Sequence, residues 1–68
     1  MSNPTPNDMV PTPFGFKVRY PQEMAFLVFL ARIAGEERKF QKFDFEVTAY
    51  EYKGRLYVVE LRKLESPS

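Results

Sequence analysis

The side chains that most often carry covalent or acid–base chemistry are missing from this chain or badly placed in it. It has no histidine and no cysteine. Imidazole proton transfer, thiolate attack, disulfides and thiolate or imidazole zinc ligation therefore drop out together. The serines, Ser2, Ser66 and Ser68, all lie near the ends, and Thr48 is the one threonine inside the expected fold. Strand propensity alone accounts for Thr48. Glu36 and Glu37 are adjacent carboxylates, but Arg38 and Lys39 follow them directly, the pattern of a solvated charge run. Asp44, Glu46 and Glu60 are the remaining acidic set for a hard cation, with no loop scaffold to hold one. Gly15, Gly35 and Gly54 stand too far apart for a phosphate cradle. The expectation is a non-enzyme with no cofactor and no metal.

Nucleic acid is the next chemistry to weigh. Phe14-Gly15-Phe16 overlaps the centre of an aromatic RNA-binding signature whose rings stack on bases. Thr12-Pro13 stands where a basic residue and a glycine should precede it, and Lys17 where a valine should follow. A net charge of +1 gives no field to draw a polyanion or an anionic membrane. The residues left for phosphate contact are Lys17, Arg19, Arg55, Arg62 and Lys63.

The elements that position these residues follow from periodicity. Sixty-eight residues make one domain, and a chain this short buries only about 60% of its unfolded surface. Seven Phe and four Tyr must supply most of the packing. Met1 to Pro13 holds Pro4, Pro6, Pro11 and Pro13 among Ser, Asn and Thr, and is expected to be a disordered tail (1–13). A second disordered end is expected at 65–68. Phe14 to Tyr20 alternates with period two and predicts a strand. Pro21, Glu23 near the start, Arg32 near the end and Gly35 beyond it predict a helix over Gln22 to Ala34. Glu36 to Lys39 is expected to be a charged connection. Phe43 to Ala49 and Arg55 to Leu61 predict two further strands.

Joining the last two by a three-residue loop, Tyr52-Lys53-Gly54, puts Phe43, Phe45, Val47 and Ala49 opposite Lys63, Leu61, Val59 and Tyr57, on a face almost wholly apolar. A two-residue loop would instead set Val47 opposite Glu60. The expected fold is α+β: β-α-β-β over residues 14–64, a three-stranded antiparallel sheet in the order 1-3-2 with the helix on one face. The longest apolar run, Ala25 to Ala31, is far short of the roughly 20 residues that cross a membrane. The N-terminal residues also lack the basic and apolar segments of a secretion signal. A cytoplasmic protein is expected.

The helix is more apolar than one buried face requires. At about 100° per residue, Phe26, Phe29, Leu30 and Ile33 form a stripe of large side chains assigned to the sheet. Met24, Leu27, Val28 and Ala31 form a second stripe, assigned to solvent and so to a partner. A second candidate contact is the open face of the sheet, where Tyr50, Leu56 and Val58 cluster inside a charged rim. The Met9 to Pro13 segment is a competing cover for the second stripe.

In its size, its Pro/Asn/Thr-rich start, its single β/α unit and its want of catalytic residues, the chain resembles small accessory proteins of lytic bacteriophages. That resemblance implies a regulator that binds a larger protein assembly, with bacterial RNA polymerase as the partner and transcription as the process. It carries no residues across. The alternatives are a nucleic-acid-binding module built on the basic residues named above and a structural homodimer.

Overall fold

A computed structural model describes residues 6–64. Its elements are β1 (Asp8–Thr12), β2 (Gly15–Arg19), α1 (Gln22–Ala34), β3 (Glu36–Lys42), β4 (Phe45–Tyr52) and β5 (Arg55–Lys63). The strands form one antiparallel sheet in the order β1-β2-β5-β4-β3. This keeps the α+β class and corrects the three-stranded sheet. The expected strands become the centre of a sheet of five, and the two additions are both edges.

Edge strands escape periodicity because their composition resists further pairing. β1 lies inside the stretch expected to be tail, and it pairs along its whole length with β2, from Asp8 opposite Arg19 to Thr12 opposite Gly15. Pro11 fits there because an edge strand has ladder positions that need no N–H. The Asn7 N–H continues the ladder to the Arg19 carbonyl at 2.8 Å. Residues 1–5 and 65–68, where the remaining tail expectations fall, lie outside the described residues. β3 replaces the charged connection, and its sequence EERKFQK is exposed throughout. Arg38 crosses to β4, its guanidinium donating to Glu51 at 2.6 Å.

All three hairpins turn through two residues. Lys53 and Gly54 both take positive φ, 50° and 77°, the pattern of a type I′ turn that matches strand twist. The three-residue loop is therefore corrected, and so is its register. Tyr52 faces Arg55, Tyr50 faces Tyr57 and Ala49 faces Val58. A β-bulge then intervenes, after which Thr48 faces Glu60 and Val47 faces Leu61. Val59 is the extra residue. The bulge removes the mismatch that argued against the short loop, because it moves Val47 from Glu60 to Leu61.

The helix runs over the expected residues. Pro21 precedes it, and its carbonyl accepts the N–H groups of Met24 and Ala25. Gly35 ends it, though not through left-handed backbone: its φ is −86°. A Cβ there would strike the carbonyl oxygens of Ala31 and Glu51. The glycine lets the helix end pass directly against β4.

The buried core is small: Val18, Tyr20, Val28, Ala31, Val47, Ala49 and Tyr57. Tyr20 donates its hydroxyl to the Val58 carbonyl at 2.9 Å and meets Tyr57 edge-on at 6.3 Å between ring centres. Directly opposed residues share a sheet face, so Tyr50 and Tyr57 lie together under α1. Phe40, Val47, Leu61 and Phe16 form a row on the other side. Phe16 and Phe45 touch there, with ring centres 6.0 Å apart.

Candidate binding surface on the helix

α1 presents to the sheet the stripe that size alone assigns to solvent. Val28 and Ala31 are buried, with Ala31 fully inaccessible, and Met24 packs against the same cluster. Phe26, Phe29 and Ile33 are 65%, 58% and 66% exposed. The cause lies across the interface. Tyr20, Tyr50, Tyr52 and Tyr57 all belong to or border the cluster that receives the helix. Because the strands already supply the bulk, close packing admits only small or flexible side chains from the helix. The core expected at Phe26, Phe29 and Ile33 is corrected accordingly.

The expected partner contacts are redistributed by the same inversion. Met24, Val28 and Ala31 face inward and are unavailable. Leu27 stays at the border, about a third exposed. Tyr50 is half-buried beneath the helix. Leu56 and Val58 sit opposite Glu51 and Ala49, on the other face of the sheet from Tyr50. The proposed cluster of three on the open face is thus split.

The basic residues do not form a stripe either. Arg19 is held by Asp8 at 2.8 Å and Arg62 by Glu46 at 2.7 Å. The hydrogen bond from Arg19 lowers the Asp8 carboxyl below its usual range, and the same bond raises the guanidinium. Lys17 stands opposite Glu60, and Arg55 opposite Tyr52 at the far hairpin. Lys63 faces Phe45, on the other side of the sheet from Lys17. Alternating signs of this kind give no continuous track for a phosphate backbone. Among the described residues no group of three acidic side chains could hold a metal ion.

Between α1 and the β1–β2 hairpin runs a groove of about 480 Å³. Val10, Val18, Tyr20, Ala25, Val28 and Phe29 line it, with Lys17, Arg19 and Arg32 as its charged residues among those described. Lys17 and Arg32 also border a neighbouring depression that contains Glu37 and Glu60. They therefore stand where the apolar groove meets polar surface. Burial raises the Tyr20 hydroxyl above its ordinary range.

Two aromatics that periodicity places within strands stand instead in the turns between them. Phe14 and Phe43 are highly exposed at hairpin tips, and Phe43 has φ of 56°. The Lys63 N–H donates to the Phe14 carbonyl at 2.7 Å and the Leu64 N–H to the Asp44 carbonyl at 2.8 Å. The end of β5 thereby ties both tips together. Phe43 was expected in the core because it continues the alternation of β4. The turn that begins there could be recognised only from the strand added before it.

No helix among the described residues is long and apolar enough to cross a membrane. Compared with known proteins, the chain matches no family model, no curated protein and no solved structure. Nothing in these comparisons indicates an enzyme.

Proposed function

We propose that this protein is a non-enzymatic binding module that docks on a larger protein assembly through the outer face of α1. The observation that carries this is the spacing of Phe26, Phe29 and Ile33, at i, i+3 and i+7. All three are more than half exposed, while only seven apolar residues are buried among the described residues. Large apolar anchors at that spacing are what a helix offers to a groove on a partner, and aromatic anchors dominate such interfaces. Leu27 extends the face at its border. The likeness in size and layout to phage accessory proteins makes bacterial RNA polymerase the first partner to test.

The experiment uses a Phe26→Glu, Ile33→Glu double variant. Both side chains project outward, so its urea midpoint should stay close to that of the wild type. Immobilised wild type should retain RNA polymerase, and the variant should lose at least about tenfold in affinity, the equivalent of about 1.4 kcal/mol. Equal retention by both proteins removes the helix from the interface. If neither protein retains the polymerase and both sediment as monomers, the polymerase proposal fails. If only the wild type sediments as a dimer, the same face is a homodimer contact instead.

A further inference from the structure

We propose that the groove between α1 and the β1–β2 hairpin binds a single-chain amphiphile with an anionic head, of the fatty-acid class. Its alkyl chain would lie along Val18, Ala25, Val28 and Phe29, and its carboxylate would sit between Lys17 and Arg32. This site shares Phe29 with the outer helix face and takes its other walls from Val18, Ala25 and Val28.

Three observations select that chemistry. The groove volume, about 480 Å³, lies within the range of small-molecule sites. The charged side chains lining it are all cations, which donate hydrogen bonds and accept none. Asp8 already holds Arg19, while Lys17 and Arg32 have no ion-pair partner among the described residues.

The cationic lining, which offers no charged acceptor, then decides between occupants. A peptide laid in the groove would bring backbone N–H groups, but the β2 backbone alongside is engaged in its ladder with β1. An N–H buried without an acceptor is costly. An alkyl chain brings no such group, and a carboxylate needs only the donors present at Lys17 and Arg32. A cationic or zwitterionic head would meet like charge at the same point.

The test titrates the full chain with laurate below its micellar range, followed by amide chemical shifts and calorimetry. Dodecyl maltoside and dodecyltrimethylammonium, with the same chain and different heads, serve as the comparison arms. Laurate should saturate at one site per chain and move the amides of Lys17, Val18, Ala25 and Arg32. It should bind at least about tenfold more tightly than either comparison amphiphile. Lys17→Gln with Arg32→Gln should abolish that preference while leaving the weaker dodecyl maltoside binding unchanged. Ala25→Phe, which fills the groove from an exposed position, should remove binding in every arm with the circular dichroism unchanged.

Equal affinity for all three amphiphiles would overturn the proposal. So would shifts confined to Phe26 and Ile33, which would mean detergent coating the outer helix face. Absence of saturable laurate binding would overturn it as well.

Discussion

The two faces of α1 differ in a way opposite to what side-chain size suggests. The inner face carries Met24, Val28 and Ala31, and the outer face carries Phe26, Phe29 and Ile33. What matters is the combined volume at the contact rather than the volume on one side. Tyrosines on the strands fill the interface, so the helix approaches with little of its own. Large apolar groups left outside are then free to serve a partner.

The sharpest way to break this contrast is to charge the inner face. Ala31→Glu places a carboxylate where no water reaches, and it should cost about 3 kcal/mol or more. For a domain this size that is a large share of total stability. Chemical denaturation would measure it. The mirror change outside, Phe29→Glu, should move stability by no more than about 0.5 kcal/mol. If the two substitutions prove equally harmful, the assignment of faces is wrong.

A smaller effect is expected at Phe43, whose side chain is 84% exposed and whose backbone is left-handed. Bulky residues are strained there and glycine is not. Phe43→Gly should therefore stabilise the fold by about 1 kcal/mol. A loss of stability would mean that the ring packs where it now stands free.

Tyr20 sharpens the contrast from the sheet side. Its hydroxyl is raised in the folded state, so the neutral form is the one the fold favours. Stability should be complete below the unfolded value near 10 and fall as pH rises through the higher folded value. Tyr20→Phe should flatten that alkaline decline and cost about 1 kcal/mol at neutral pH through the lost hydrogen bond.

The smallest effect belongs to Asp8, lowered by its bond from Arg19. Its contribution should be present above pH 4 and disappear as pH falls through the depressed folded value. Asp8→Asn should remove that acid dependence and little else, because the pair is exposed.

What the sequence made legible follows the same division between covered and uncovered elements. Pro21 and Gly35 bracket the helix, and the alternation at Phe16, Val18, Phe45 and Val47 marks central strands, because burial enforces those patterns. β1 and β3 are edges, where proline and charge suppress pairing, and the same residues made them look like a tail and a connection. The short Lys53-Gly54 loop is legible as a turn, but an unbroken ladder from it would set Val47 against Glu60, and the bulge at Val59 breaks that ladder. For the binding surface, both helical stripes could be seen at Met24 and Phe26. Which one faces the sheet depended on Tyr50 and Tyr57, and those meet the helix only once the chain has folded.

The position of β5 bears on the order in which this fold can form. It is the last strand among the described residues and the middle strand of the sheet, flanked by β2 and β4. The β1–β2 and β3–β4 hairpins can close locally as soon as they exist, but an isolated hairpin is marginal in water. Neither gains a third strand until Arg55–Lys63 is available. During synthesis, both hairpins and an apolar helix therefore wait for one late segment, with Met24, Val28 and Ala31 uncovered in the interval. Folding should be nearly all-or-none and set by the arrival of β5. A ribosome stalled before that strand emerges should hold a chain that proteases cut freely.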